Sequence, residues 1–199
     1  MKDKYRNFEE LAKSEKCGAD FRVRSRVGAV ATVIVAPHGG KIEPGTSEIA
    51  EAIAGANLSF YAFEGTKPQD NRQLHITSTH FDEPSGVALV AVSESVVTIH
   101  GQDSEQPVVI LGGRDKVTMQ RLSESLQQRG FSVKTNAKGL QGCEAKNICN
   151  RGVQSAGVQI EISNGLRSSF FRSLKTRVGR QTKTERFWDF VAAVRKVIA

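Results

Sequence analysis

From residue 27 to residue 36 the chain is built almost wholly of β-branched residues, alanine and glycine, and it halts on Pro37-His38-Gly39-Gly40. A short apolar run closed by proline and glycine reads as a buried strand, here delivering a histidine into a glycine turn. The remaining segments alternate. Thr46 is placed to cap a helix over residues 48–54, with Ile49 and Ile53 on one face and Gly55 as its stop. Strands are predicted over residues 58–63, 74–77, 95–99, 108–111, 131–134 and 157–163. Helices are predicted over residues 84–93, 115–129 and 185–198, the last with Phe187, Val191, Val194 and Ile198 on one stripe. Strands interleaved with helices define an α/β sheet with helices on both faces and a site at the carboxyl ends of its strands.

With 199 residues, 39% of them hydrophobic and 25% charged, the chain suits one compact domain over residues 1–199, at roughly 100 to 200 residues per domain. No run of about 18 apolar residues occurs, and residues 1–15 are charged where a secretory leader needs an apolar core. The expectation is a protein with no membrane span and no signal peptide. Cys17, Cys143 and Cys149 are odd in number and lack a C-x-x-C spacing, which supports neither a disulfide framework nor a thiolate zinc site. A Cys143–Cys149 bridge stays open beside three free thiols. The net charge of +7 favours polyanionic partners, and nucleic acid, anionic lipid and a polyacidic substrate all fit that sign.

Four histidines occur, His38, His75, His80 and His100, and two of them, His38 and His100, follow apolar strands and precede glycine. That placement leaves an imidazole at a sheet edge facing a crevice. Glu43 returns five residues after His38 across a glycine-containing loop. Two neutral imidazoles and a carboxylate are a three-ligand set of the kind that holds catalytic zinc with one position left for water. The competing reading of either histidine alone is a hydrogen-bonded turn residue. Glu161, between Ile160 and Ile162, is the candidate general base, because a carboxylate among apolar neighbours has its pKa raised or finds a partner; its alternative is a solvent-facing place on a half-exposed strand. Asn150 and Arg151 offer a bidentate clamp for a substrate carboxylate, against a surface ion pair for Arg151. For His75 and His80 a structural role is the reading, although Thr77, Ser78 and Thr79 mark a polar segment able to reach substrate, which places His80 among the substrate-binding candidates. Cys149 as a nucleophile is a further option.

The stretches VIVAPHGGKIEPGTSEIAEAIAG, LHITSTHFDEP, VTIHG, NICNRG and GVQIEIS, in this order, resemble the bacteriophage-type poly-γ-glutamate hydrolase family over most of the chain, from Ala29 to Arg167. The resemblance implies an open mixed β-sheet between helices, similar to zinc carboxypeptidases, and cleavage of γ-glutamyl amide bonds. It implies one zinc ion per chain, His38, Glu43 and His100 as ligands, and Glu161 as general base, in agreement with the residue-by-residue reading. Asn150 and Arg151 are similar to the pair with which zinc carboxypeptidases hold a substrate carboxylate. Four residues separate His38 from Glu43 where ordinary zinc carboxypeptidases have two between the first ligands, so their subsites do not transfer directly.

A polymer with one carboxylate per residue gives the positive charge a use, and the basic stretch from Arg167 through Arg172, Lys175, Arg177, Arg180 and Lys183 to Arg186 offers a rim for it. A solvated basic loop is the alternative. The expectation is a monomer acting on poly-γ-glutamate, with no nucleic acid or membrane partner, cytoplasmic when made and released by lysis to meet its substrate. The rivals are a zinc amidase of peptidoglycan or an N-acyl glutamate, and a non-catalytic polyanion-binding protein, against which stands the lack of aromatic stacking residues in the basic stretch beyond Phe170 and Phe171.

Overall fold

The computed structural model describes residues 3–135 and 137–199. Seven strands form one sheet: β1 (Phe21–Arg26), β2 (Val30–Gly40), β3 (Leu58–Gly65), β4 (Ser95–Gln102), β5 (Val109–Gly113), β6 (Val133–Thr135) and β7 (Val158–Ser163). Their spatial order is β1-β3-β2-β4-β7-β5-β6. The β3, β2, β4 and β7 strands run parallel, whereas β1 and β5 are antiparallel to their neighbours β3 and β7. The expected α/β architecture, an open mixed sheet with helices on both faces, is the one that forms.

The reason lies in how β2 is covered. Ile34 and Ala36 face one apolar cluster with α2 (Thr46–Ala54), α4 (Lys116–Gln128) and α7 (Glu185–Ile198), where Ile49, Ile53, Leu122, Leu126, Phe187 and Phe190 are buried. Val33 and Val35 face a second cluster with Leu11 of α1 (Phe8–Ala12) and Val90 of α3 (Pro84–Ala91), together with Phe63 and Phe81. Burying such side chains stabilises each layer by about 1.5–3 kcal/mol apiece. Asp115 and Thr184 cap α4 and α7 through bonds accepted from Thr118 N and Phe187 N. Two short helices, α5 (Asn164–Ser169) and α6 (Arg177–Gln181), complete the chain, and among the described residues no helix is long and apolar enough to cross a membrane.

Several local expectations are corrected. Thr46 is the first residue of α2 and not its cap; Gly45 holds the cap position at φ 94°, and its hydroxyl neighbour Thr46 donates to Glu43 O at 2.8 Å. A side chain at Gly45 would also collide with Leu174 and Phe171, so only glycine fits the turn. Residues 74–77 make no strand: a short 3-10 helix ends at Leu74, and beyond it Ile76 O and Thr77 N pair with the side chains of His38 and Asp3. Side chains have taken the backbone groups that a ladder would need. β1 is an edge strand with no counterpart in the sequence reading; FRVRSR alternates polar and apolar residues only partly, and its burial comes from pairing with β3. All three cysteines are free, with no Cys143–Cys149 bridge.

Candidate metal centre and cleft

Three adjacent parallel strands assemble the centre: β2 carries His38, β4 carries His100 and β7 carries Glu161, the last two being register partners. Both histidines lie within their strands, since β2 continues to Gly40 and β4 to Gln102, so the glycines do not end the strands as expected. What aims His38 is a loss of register between β2 and β3 at Ala36–Gly39, an irregularity of the kind that redirects a side chain beside a site. Both imidazoles are buried, at 2% and 3% exposure.

Glu43 enters on the loop between β2 and α2. Its Oε1 lies 3.3 Å from His38 Nδ1, and its Oε2 accepts a bond from Gly101 N at 2.8 Å and lies 4.0 Å from His100 Nδ1. The two Nδ1 atoms are 3.2 Å apart. His38 Nε2 donates to Ile76 O at 2.8 Å, which turns the lone pair of Nδ1 toward the other two groups. Among the described residues, His100 Nε2 is buried without a hydrogen-bond partner. Two imidazole nitrogens facing one another beside a carboxylate, one ring fixed by a backbone carbonyl, form a donor set that fits a divalent cation such as zinc.

His75, given a structural role above, lies in the same cluster: it stacks on His38 with ring centroids 3.9 Å apart, and its Nε2 is 3.9 Å from Glu43 Oε1. Among the described residues, the three groups whose single donor atoms all lie within 4.8 Å of one another are His38, Glu43 and His75. Asp3 holds His75 Nδ1 at 2.7 Å and accepts Thr77 N at 2.7 Å, so a carboxylate orients this imidazole too.

The electrostatics follow from crowding. Burial works against the Glu43 carboxylate, but His38 and then His100 outweigh it and bring its pKa to about 2. Burial also opposes a charge on His38, yet Glu43 and the Ile76 carbonyl leave its pKa raised. His100 falls to about 3 through burial and the His38 charge, and His75 to about 4 through the His38 charge and burial. Glu161 is pushed the other way, to about 8, by burial and by the Glu43 charge. One carboxyl of the pair is thus firmly ionised while the other holds a proton near neutrality, the separation that assigns different tasks to two acids.

Glu161 does not face solvent on a half-exposed strand; β7 is buried along its length. Gln159 Nε2 donates to Glu161 Oε1 at 2.9 Å, and Asn147 Nδ2 donates to Gln159 Oε1 at 2.9 Å. Beneath Glu43, the buried Arg167 donates to Pro44 O and Gln102 O, both at 3.3 Å, and fastens the Glu43 loop to the end of β4. It fits only because residue 101 is glycine, where a Cβ would stand 1.7 Å from Arg167 Nη1. That arginine is a girder inside the fold and not part of a solvent-facing rim.

His38, Glu43, His75, His100 and Glu161 all line one cleft of about 790 Å³, walled by residues 139–144 and by Arg72, whose two Nη atoms pair with the Asp103 carboxylate at 2.9 Å. Asn150 and Arg151 do not reach it. Asn150 is buried, its Nδ2 donating to Gly142 O and Glu144 O and its Oδ1 accepting Gly157 N, so no donor is left for a substrate. Arg151 donates to Phe81 O and shares a neighbouring pocket with Arg6, Asp82 and the exposed His80, joined to the cleft at Thr79. Cys149 is buried with its thiol pushed up to about 12 by burial, which removes it as a nucleophile. Arg72 carries no sequence signal of its own; Asn147 and Gln159 stand in the NICNRG and GVQIEIS stretches and His75 in the polar LHITSTH stretch.

A helix-covered mixed sheet with imidazoles and carboxylates gathered at its strand ends is the arrangement of zinc-carboxypeptidase-like hydrolases. Residues 5–193 match the family described as poly-gamma-glutamate hydrolase. The UPF0714 protein YmaC of Bacillus subtilis (strain 168) is 36% identical over 199 residues, with 98% of this chain and 84% of that protein covered. A solved bacteriophage poly-γ-glutamate hydrolase is similar at a TM-score of 0.95 and 28% identity, covering 98% of this chain and 96% of that one. Zinc-free apo YndL is similar at a TM-score of 0.94 and 36% identity, covering 98% and 97%. The chain belongs to the poly-γ-glutamate hydrolase family, enzymes that act on γ-glutamyl amide bonds.

Proposed function

We propose that this chain hydrolyses the γ-glutamyl amide bonds of poly-γ-glutamate with one zinc ion held by His38, Glu43 and His100 and with Glu161 as general base. The observation that carries the reading is the meeting of the two Nδ1 atoms, 3.2 Å apart, with the two Glu43 oxygens, 3.3 Å from His38 and 4.0 Å from His100, in the cleft that also holds Glu161. Family membership supplies the substrate, and the existence of a zinc-free form of YndL supports the choice of metal. When bound, zinc supplies Lewis acidity and brings the pKa of water down to about 7.

The residues divide the remaining work. Ionised Glu161, the form that a nearby cation favours, takes a proton from the attacking water and, once protonated, returns it to the leaving amine. Gln159, itself held by Asn147, keeps the accepting oxygen of Glu161 in place. Arg72 holds a carboxylate of the polymer in the cleft in place of Asp103, the part that Asn150 and Arg151 are not positioned to play. The same reading takes the enzyme as a single catalytic domain and a monomer, made in the cytoplasm and released by lysis.

The test is incubation with poly-γ-glutamate followed by product sizing, before and after chelation and with zinc added back. Shortened chains that vanish with the metal and return with it are expected. An intact polymer, with cleavage of peptidoglycan or of an N-acyl glutamate instead, overturns the substrate assignment.

A further inference from the structure

On the far side of the Glu43 loop lies a second trough, of about 510 Å³, between the ends of β2 and β3 and the basic segment around α6. Six cationic side chains line it, Arg22, Arg24, Lys41, Arg177, Arg180 and Lys183, against the three carboxylates Glu48, Glu51 and Glu64. Each acid already has an arginine: Glu64 is shared by Arg22 and Arg24, Glu51 pairs with Arg24, and Glu48 pairs with Arg180 at 2.7 Å. Among the described residues no carboxylate pairs with Lys41, Arg177 or Lys183. Lys41 Nζ donates only to a backbone carbonyl, that of Lys67, and Lys183 Nζ lies over the Phe187 ring. The floor is built, because Arg180 and Glu64 are buried, while Arg177 and Lys41 stand at the solvent edge.

The chain links the trough to the cleft through consecutive residues. Gly40 and Lys41 line the trough, Ile42 and Glu43 line a side pocket, and that pocket shares Glu43, Arg72 and His75 with the cleft. A long flexible polyanion engaged at the cleft therefore has further carboxylates to offer cations that lack acidic partners. We propose that this trough is an exosite that binds a second stretch of a polycarboxylate chain, so that long polymer is held at two places and short oligomer at one. The inference rests on the functional reading above for the identity of the polymer.

Two holds on one chain multiply apparent affinity through effective concentration, and the electrostatic part is screened by salt. The experiment uses the zinc-loaded full-length protein and its Arg177→Glu/Lys183→Glu variant, with long poly-γ-glutamate and a short γ-linked oligomer as substrates. The kcat/KM for long polymer is expected to fall about three- to tenfold relative to that for the oligomer at low salt, with the difference closing at high salt, as for two exposed charge pairs. Arg177→Gln/Lys183→Gln, which removes charge without adding repulsion, is expected to fall between the two. An unchanged ratio, or an equal fall for both substrates, overturns the exosite. Binding of fluorescent long polymer to Glu161→Gln protein with and without the charge reversals is read in parallel. If wild-type protein cleaves nothing yet the reversals weaken binding, the functional reading fails and the trough stands; if binding is indifferent to the reversals, the trough falls whatever the enzyme cleaves.

Discussion

The Nδ1 atoms of His38 and His100 stand 3.2 Å apart across the ends of β2 and β4. Side by side without a cation they compete for one proton, and His100 Nε2 has no hydrogen-bond partner among the described residues. A divalent ion removes that conflict, so zinc should raise the melting temperature, and His38→Ala or His100→Ala should emerge from dialysis with no zinc. His75→Ala removes a ring that packs on His38, and by analogy with outer-shell partners it should cost about 10- to 100-fold in affinity while zinc still binds. Metal analysis and chelator competition decide the matter, and loss of zinc from His75→Ala as complete as from His100→Ala would make His75 the third ligand.

Glu161→Gln keeps the shape of the side chain and removes its basicity. Turnover of poly-γ-glutamate should fall by about 10²- to 10⁴-fold with zinc content unchanged. Near-normal activity in that variant would mean that another group moves the proton.

The pKa of Glu161 also sets a pH dependence in metal-free protein. In the folded state the carboxyl titrates at about 8, against 4.5 as its ordinary value. Between those limits the folded protein keeps a proton that the unfolded chain has lost, so stability declines as pH rises through that window, by an amount on the order of a few kcal/mol. Below it both states are protonated and the effect vanishes. Urea unfolding of chelated wild-type and Glu161→Gln protein from about pH 4 to pH 9 should show the wild-type curve dropping relative to the variant; parallel curves would contradict a buried, proton-holding Glu161.

Arg72 and Arg151 can be set against each other directly. Arg72→Ala should raise KM for the polymer by about tenfold, the scale of one charge-assisted contact at a partly solvated site. Arg151→Ala should leave KM within about twofold, because its side chain lines a separate pocket with Asp82 and is absent from the cleft lining. Steady-state kinetics on the two variants would reverse the assignment if Arg151→Ala proved the more harmful.

The parts of this site that could be read from the sequence are those whose neighbours announce them. His38 and His100 stand at the ends of apolar runs beside glycine, Glu43 follows at short range, and Glu161 interrupts an isoleucine pair. Those signals are local, and the fold class rests on the same kind of periodicity. His75 escaped because its place depends on Asp3, which reaches it from the N-terminal segment across 72 positions. The placement of Asn150 and Arg151 is hidden for the complementary reason: carboxamide and guanidinium groups are equally suited to backbone carbonyls, and only the folded loop shows that they bond Gly142, Glu144 and Phe81. The basic stretch divides similarly, with Arg167 and Arg180 drawn inside and Arg177 left at the surface.

One carboxamide sets how freely this enzyme can diversify. The wall formed by residues 139–144 is tethered by Asn150 at the carbonyls of Gly142 and Glu144, groups that every amino acid possesses. Outside the left-handed Gly139 and Gly142, side chains on that wall can therefore be exchanged without removing that anchor. Changes in the preferred polymer should accumulate there, while the reacting centre is inherited intact.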